Sequence, residues 1–314
     1  MFIRQETDCN KTKKQLARFL GLVFGHPFST PTADEHAMFL AYAASLRSAD
    51  LSRQVGAVVW KDGVGVISTG CNDVPSPGGG LYWTGSGDRR DHAEGYDANE
   101  KYKRDIAADV ARRVVDELTL NGKSEETDLS NRIEKACFES RLLDITEFGR
   151  AVHAEMDAVL SCGRSGVTTV GCTLFCTTFP CHNCAKHLVA AGFQRVVYVE
   201  PYAKSQAREL HGDALKIDED GQWPAQGELE KVLFQPFIGI APRRYFDLFS
   251  MKLSTGRPMK RKIEGGQVAV WAKNTASARV PMLPTSYLER EEQLSKVVGR
   301  LLEGLKNETK DSTE

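Results

Sequence analysis

The sequence predicts an α/β fold in three α/β/α layers, with a mixed central sheet between two layers of helices. Two observations support this prediction. Helix and strand patterns alternate from residue 151 to residue 199, and two strand-like segments precede them at residues 54–71. The chain of 314 residues is long enough to bury a substantial core.

The N-terminal region divides into a basic, amphipathic lead at residues 1–30 and the start of the main domain, which we expect to occupy residues 31–250. Thr32 and Glu35 have the spacing of a capping box, in which the side chain of each residue accepts the backbone N–H of the other. This motif predicts that a helix begins there and continues through Leu46.

Four segments have strand character. Residues 54–60 and 64–71 flank the turn Lys61-Asp62-Gly63, which is typical of a hairpin. Residues 173–177 and 195–199 are short, β-branched and apolar, as expected of buried strands.

Two helices are predicted beside these last strands. Residues 151–161 place apolar side chains at helical spacing. Residues 181–191 follow Pro180, which suits a helix entry, and Gly192 ends the helix.

The segment at residues 76–148 is interpreted as an insertion in this pattern. It begins in a loop rich in Pro, Gly and Ser, which we expect to be mobile. Helices are predicted at residues 97–120 and 133–143, and the first has an apolar stripe at Ile106, Val110, Val114 and Leu118. A lid, an oligomer interface and a solvated helical hairpin are the competing roles.

The C-terminal extension is predicted to span residues 251–314. Residues 254–284 show little periodicity, whereas residues 285–305 read as a helix. Its apolar face comprises Leu294, Val297, Leu301 and Leu305.

The chemistry of the chain is indicated by His153-Ala154-Glu155 and by Cys181 and Cys184 downstream. One imidazole and two thiolates provide three ligands for Zn²⁺, with a fourth position open for water. Zinc lowers the pKa of that water, and Glu155 is close enough to carry its proton without binding the metal. We expect one catalytic zinc ion per chain.

Two other interpretations of the cysteine pair are weaker. A lone C-x-x-C also occurs in redox sites and in halves of structural zinc sites. Structural zinc sites usually have four protein ligands, but here the remaining neighbour is an acid and no second C-x-x-C exists.

Charge and composition exclude several classes. The net charge of −1 argues against a basic groove for nucleic acid. The eight cysteines lack a disulfide pattern, which suits a reducing compartment. No apolar run reaches the length of a membrane span, so we expect a cytoplasmic protein that binds neither membrane nor polynucleotide substrate.

The motif set H-x-E…P-C-x-x-C resembles the signature of zinc-dependent base deaminases, in the cytidine and deoxycytidylate deaminase superfamily. The segments RSAD at 47–50, GCNDVP at 70–75 and TTFPCHNCA at 177–185 resemble dCMP deaminases in particular. The phrases FGHP (24–27), EPYAKS (200–205) and PFIGIAPRRY (236–245) resemble the bacterial anti-phage deoxycytidine nucleotide deaminases.

This resemblance implies the cytidine-deaminase-like fold and hydrolytic deamination of free dCTP, dCMP or both, in anti-phage defence. It also implies a homo-oligomer, a hexamer as in dCMP deaminases, and a nucleotide effector. Members of the anti-phage branch carry a kinase-like domain ahead of this region, and we expect a truncated or stand-alone relative here.

The resemblance also assigns roles to residues. His153, Cys181 and Cys184 bind zinc, and Glu155 shuttles protons. The implied substrate contacts are Asn72 at the sugar, Arg47 at the phosphate, Tyr198 and Tyr202 near base and phosphate, and Ala154. We add Arg53 and Lys204 as cations near the phosphate.

Two alternative functions stay open from the sequence. One is deamination of bases in tRNA or single-stranded nucleic acid, which uses the same zinc chemistry. The other is a catalytically silent, zinc-stabilised regulatory subunit, although a structural zinc site would not need Glu155.

Overall fold

A six-stranded mixed sheet forms the centre of the larger of two compact units, which comprises Phe2 and residues 32–243. This computed structural model describes residues 1–4, 9–120, 126–140, 148–218, 231–252, 258–274, 276–279 and 295. The strands are β1 (Gly56–Lys61), β2 (Gly65–Cys71), β3 (Thr173–Thr178), β4 (Arg195–Glu200), β5 (Leu215–Ile217) and β6 (Val232–Pro236).

The strand order is β2-β1-β3-β4-β6-β5. β1 pairs antiparallel with β2 and with β3, whereas β3, β4, β6 and β5 run parallel. The predicted hairpin turn is confirmed, and Gly63 adopts the positive φ of 76° that this turn requires. A mixed sheet is therefore present, as the sequence predicts.

Helices cover both faces of the sheet, so the three-layer prediction is confirmed. On one face lies α2 (Ala33–Ser45), whose Ala37, Met38 and Ala41 pack against the sheet. The other face carries α6 (Ala154–Arg164) and α7 (His182–Ala190). Because both faces are covered, the residues of β3 alternate between two buried layers, which explains its continuous apolar sequence.

Two glycines let the helices approach the sheet closely. A Cβ at Gly56 would lie 1.9 Å from the Ala41 carbonyl oxygen of α2. A Cβ at Gly70, on β2, would lie 2.3 Å from the Ala154 carbonyl oxygen of α6. Any larger side chain would therefore push a helix away from the strand that it covers.

The capping box at the start of α2 is confirmed. Thr32 Oγ1 accepts the Glu35 N–H at 3.1 Å, and the Glu35 carboxylate accepts the Thr32 N–H at 2.8 Å. The other Glu35 oxygen accepts the Ile240 N–H at 2.9 Å, and the residue is 1% exposed. One buried carboxylate thus caps the helix and also holds the chain beyond β6.

The segment at residues 76–148 contains three described helices, α3 (Asp91–Glu94), α4 (Ala98–Leu120) and α5 (Glu126–Phe138). The last begins seven residues earlier than predicted, and its last helical residue is Phe138. The apolar stripe predicted for α4 does not face the core, because Val110 and Val114 are more than a third exposed, while the side chain of Leu118 lies outside the described residues. The buried face comprises Lys103, Ala107, Ala111 and Val115.

Small residues explain why another face is buried. Ala107 and Ala111 let the helix pack closely against its neighbours, whereas the bulkier Val110 and Val114 face outward. A hydrophobic pattern weights bulky residues more heavily than alanines and so does not identify the buried face.

The smaller unit comprises residues 1, 3–31 and 244–314. It contains α1 (Cys9–Val23) and α9 (Tyr245–Phe249). The helix α8 (Ala207–His211) belongs to the larger unit. The buried Arg279 of the smaller unit donates to the Leu248 carbonyl oxygen at 2.8 Å. The predicted helix at residues 285–305 lies outside the described residues except at residue 295.

This division places the N-terminal lead with the C-terminal extension, and its boundary falls at residue 243 where the sequence suggested 250. The boundaries drawn from the sequence stay predictions. None of the described helices combines the length and the apolar composition that a membrane crossing requires.

Candidate active site

Three side chains that suit a metal ion converge at the starts of two helices. His153 is the N-cap of α6 and Cys181 is the N-cap of α7, while Cys184 lies in the first turn of α7. The sequence predicted that α6 begins at Ala151, but His153 is extended, with φ −68° and ψ 150°, so the helix begins at Ala154. The extended residue is what turns the imidazole toward the cysteines.

The spacing of the three donor atoms fits one tetrahedral ion. His153 Nδ1 lies 3.4 Å from Cys181 Sγ and 3.3 Å from Cys184 Sγ. Typical Zn–N and Zn–S bonds at a tetrahedral angle give an edge of about 3.5 Å. Among the residues that the structure describes, this is the group of His, Cys, Asp and Glu that could hold a metal.

The protonation of these ligands depends on their mutual contacts. The hydrogen bond from Cys184, together with His153, lowers the pKa of the Cys181 thiol to about 4. The same bond and burial raise the pKa of Cys184 well above its usual value. The hydrogen bond to Cys181 raises the pKa of His153 to about 9. A divalent cation would therefore replace protons on His153 and Cys184.

Glu155 lies two residues beyond His153 in the first turn of α6 and is 5% exposed. Burial raises the pKa of its carboxyl above the ordinary value, and the neighbouring His153 opposes that shift. A carboxyl that binds and releases protons nearer neutral pH suits a general acid and base.

A cavity of about 290 Å³ opens beside these residues. Most of the predicted site residues line it together, namely Arg53, Asn72, His153, Ala154, Glu155, Cys181, Tyr202 and Lys204. Phe179, expected as a wall for an aromatic base, is also part of the lining. The remaining predicted ligand, Cys184, is buried behind Cys181.

Arg47 is placed elsewhere than the resemblance implied. Its guanidinium donates to the carbonyl oxygens of Leu81 and Tyr82 at 3.1 and 3.0 Å and lies 3.6 Å from the ring centre of Trp83. It does not line the cavity. Because three groups of one loop surround this cation, its role in the structure is to fasten residues 81–83.

Tyr198 is also absent from the cavity lining. It lies on β4, and its ring meets that of Phe179 edge to face at 4.8 Å. Its place is therefore behind the cavity wall, where it supports Phe179.

Asn72 lines the cavity, but its amide also organises the backbone beside it. The side-chain oxygen accepts the Val55 N–H at 2.7 Å, and the side-chain nitrogen donates to the Arg53 carbonyl oxygen at 2.8 Å. These two bonds hold the backbone of Arg53 and Val55 beside the cavity.

Sequence analysis missed the residues that the insertion brings to the cavity. The additional lining residues with polar side chains are Asp50, Ser52, Asp91, Asp97, Asn99, Lys103, Arg150 and Thr178. The lining residues between 91 and 103 belong to no recognisable motif. They lie in a segment whose charged composition is typical of solvent-exposed helices. A lysine at helical spacing from Ala107 and Ala111 on the buried face of α4 was the available signal.

Two arginines fasten this segment to the core through pairs with aspartates. The buried Arg90 donates to Asp73 at 3.3 Å and to Asp88 at 2.6 Å. Arg150 donates to Asp91 at 2.7 Å and stands three residues before His153. The short stretch of residues 150–153 therefore both anchors the cavity wall and carries the first candidate metal ligand.

Comparisons with known proteins identify a family and several relatives. The family described as the cytidine and deoxycytidylate deaminase zinc-binding region matches residues 31–200. The deoxycytidylate deaminase of Enterobacteria phage T2 is 31% identical over 167 residues, covering 53% of this chain and 79% of that protein. The phage T4 enzyme of the same name is 30% identical over 169 residues, covering 53% and 77%.

Among solved structures, the dCMP deaminase of cyanophage S-TIM5 in complex with dCMP and dUMP is similar to this chain. The TM-score is 0.37 at 20% sequence identity, and the match covers 66% of this chain and 98% of that chain.

Proposed function

This chain belongs to the cytidine and deoxycytidylate deaminase zinc-binding family, and from that premise we propose that it hydrolyses free deoxycytidine nucleotides. It is a zinc-dependent deaminase, and its proposed substrates are dCMP, dCTP or both. The products are the corresponding deoxyuridine nucleotide and ammonia. The phage relatives that match most of their own length are named deoxycytidylate deaminases, which supports dCMP first.

The observation that carries this proposal is the position of Glu155. The carboxylate lines a cavity large enough for a single nucleotide together with His153 and Cys181, and Cys184 completes the group that could hold zinc. His153, Cys181 and Cys184 would hold the zinc ion, which would lower the pKa of the attacking water.

In the proposed mechanism, Glu155 moves the protons. Its carboxylate takes a proton from the attacking water and delivers it to N3 of cytosine as oxygen bonds to C4. The carboxylate then takes the proton of the new C4 hydroxyl and transfers it to the 4-amino group, so that the C4–N bond breaks, the C4 carbonyl forms, and ammonia leaves. The raised pKa of Glu155 favours this exchange, because the group must hold a proton between the two steps.

The cavity walls support a free nucleotide as the substrate. Phe179 and Tyr202 offer apolar faces for the base. The Arg53 guanidinium lies 5.2 Å from the ring centre of Tyr202, at the edge where charge is available to a phosphate. A polynucleotide deaminase would favour a continuous basic groove, whereas this chain has a net charge of −1.

One experiment tests the proposal directly. The purified protein is incubated with dCMP, dCTP, CMP, CTP and a cytosine-containing oligonucleotide, and the uracil products and ammonia are quantified. We expect turnover of a deoxycytidine nucleotide and little on the oligonucleotide. A comparable rate on the oligonucleotide would refute the free-nucleotide substrate, and no turnover of any nucleotide would refute the activity.

We also propose that the reaction depletes deoxycytidine nucleotides during phage infection. The support is the resemblance of EPYAKS (200–205) and PFIGIAPRRY (236–245) to anti-phage deaminases. Cells that express the protein should lose dCTP or dCMP and produce fewer plaques, whereas cells with Glu155→Gln should behave as cells without the gene. Equal plaque numbers with both proteins would contradict this role.

A further inference from the structure

The chain that follows β4 runs along the start of α7. Phe179, shortly before α7, donates its N–H to the Glu200 carbonyl oxygen at 2.7 Å. Farther along the same segment, Tyr202 and Lys204 line the cavity. Ser205, the next residue, does not line the cavity, and its contact lies with the start of α7 instead.

Ser205 holds the carbonyl group that precedes the candidate zinc ligand Cys181. Its hydroxyl donates to the Pro180 carbonyl oxygen at 2.9 Å, and the same oxygen accepts the Ala207 N–H at 3.4 Å. Ala207 is fully buried and belongs to the hydrophobic core. The Ser205 hydroxyl therefore joins the residue before Cys181 to a fixed part of the fold.

His211 holds the carbonyl group on the other side of Cys181. It is the last residue of α8, and its Nε2 lies 3.1 Å from the His182 carbonyl oxygen. A carbonyl oxygen can only accept a hydrogen bond, so Nε2 carries the proton and donates it. The residues on both sides of Cys181 are thus bound by one short segment, residues 205–211.

The position of Cys181 makes these two bonds important for a metal. As the N-cap of α7, Cys181 is extended, with φ −67° and ψ 164°, so the regular dihedral angles of the helix do not fix its orientation. A zinc ligand must hold its donor atom within about 0.2 Å of the ideal distance. Bonds to the neighbouring carbonyl groups restrain the backbone that carries Cys181 Sγ, which lies 3.4 Å from His153 Nδ1.

We propose that Ser205 and His211 are positioning residues, which hold Cys181 in the geometry of a zinc ligand without touching the metal or the substrate. The inference rests on the proposed function, because it takes the proposed zinc ligands as its premise. Tyr202 and Lys204 lie on the same segment as Ser205, so the segment also sets the spacing between the cavity wall and the zinc ligand.

The test compares Ser205→Ala and His211→Ala with His211→Gln, whose amide nitrogen can donate from the place of Nε2. Thr169→Val is the matched control, because the Thr169 hydroxyl donates to the Ala191 carbonyl oxygen at 2.7 Å, at the opposite end of α7. For each protein, competition with a chelator measures the Kd of zinc. The absorption spectrum of the Co²⁺-substituted protein reports the geometry of its ligands.

Ser205→Ala and His211→Ala should each weaken zinc binding about tenfold or more, as expected when a residue that orients a metal ligand is lost. The thiolate-to-cobalt bands of both variants should shift, because Cys181 is no longer held in one orientation. His211→Gln should restore most of the zinc affinity and the wild-type spectrum. Thr169→Val should match the wild type in both measurements.

Unchanged zinc affinity and an unchanged cobalt spectrum in either alanine variant would remove that residue from the proposed role. An equal loss of zinc affinity in Thr169→Val would overturn the inference as a whole, since any weakening of α7 would then have the same effect. Both results leave the proposed function intact if the wild type binds zinc and turns over a nucleotide. A wild-type protein that binds no zinc would reject the proposed function and the inference together.

Discussion

At the scale of single residues, the site combines a group that favours its charged form with a group that favours its neutral form. Cys181 favours the thiolate before any metal arrives, with a pKa of about 4, whereas burial raises the pKa of Glu155. Both groups line one cavity, but their surroundings differ. The hydrogen bond from Cys184 and the neighbouring His153 stabilise the Cys181 thiolate, whereas burial disfavours the charged form of Glu155.

Glu155→Gln should retain zinc and lose turnover. Glutamine has the same shape but cannot carry the proton, and loss of a general acid and base costs about 100-fold or more in kcat. Metal analysis measures the bound zinc, and ammonia release measures the rate. A variant with even a tenth of the wild-type rate would exclude Glu155 as the proton carrier.

Zinc uptake by the metal-free protein should release about two protons at pH 7, because the pKa of His153 is about 9 and that of Cys184 is higher still. Both groups stay protonated below pH 7, so zinc affinity should fall as pH falls, by about 100-fold per unit. Calorimetry in buffers of different ionisation enthalpy counts the protons. Uptake without proton release would contradict the assignment of these ligands.

The candidate metal site could be predicted from the sequence because it is local. His153 and Glu155 are two residues apart, and Cys181 and Cys184 lie on one turn of helix. The placement of Arg47 could not be predicted in this way. Its partners, the carbonyl oxygens of Leu81 and Tyr82, are backbone groups that have no sequence signature.

At the scale of elements, close packing between helices and strands decides the geometry of the site. α6 carries Glu155 and lies directly on β2 at Gly70, where a Cβ would stand 2.3 Å from a helix carbonyl oxygen. The capping box of α2 was predictable because its two residues are three apart. The buried face of α4 was not, since it depends on which neighbours the helix meets.

Gly70→Ala should destabilise the protein by at least about 3 kcal/mol, because the added methyl group must displace α6 from β2. Gly163→Ala is the matched control within α6, since a Cβ there meets nothing within 4 Å. That change should be neutral or stabilise by up to about 1 kcal/mol. Urea unfolding measures both variants. Equal stabilities would show that the helix and strand are not in close contact.

At the scale of the whole molecule, the insertion presents an apolar face. Tyr102, Val110 and Val114 are between a third and a half exposed and stand at multiples of four residues along α4. The ring of Tyr102 stacks on that of Phe148 at 5.4 Å. Such a face on a soluble helix is often covered by another chain.

We therefore expect a homo-oligomer, a hexamer by the resemblance to dCMP deaminases. Val110→Glu combined with Val114→Glu should lower the mass measured by light scattering at micromolar concentration, because charges oppose burial of this face. Val64→Glu, at an exposed valine in the turn between β1 and β2, is the control. A wild-type mass of one chain would contradict the expectation.

The backbone pairing of Asp73 with Val152 has a consequence for how such a chain can be modified. The two residues exchange N–H···O bonds of 2.9 and 3.3 Å, so the insertion departs from the core and rejoins it at adjacent points. Closing a loop costs free energy that rises only with the logarithm of its length. Segments of very different size could therefore be transplanted between these two residues, and substrate preference could be engineered separately from the chemistry at zinc.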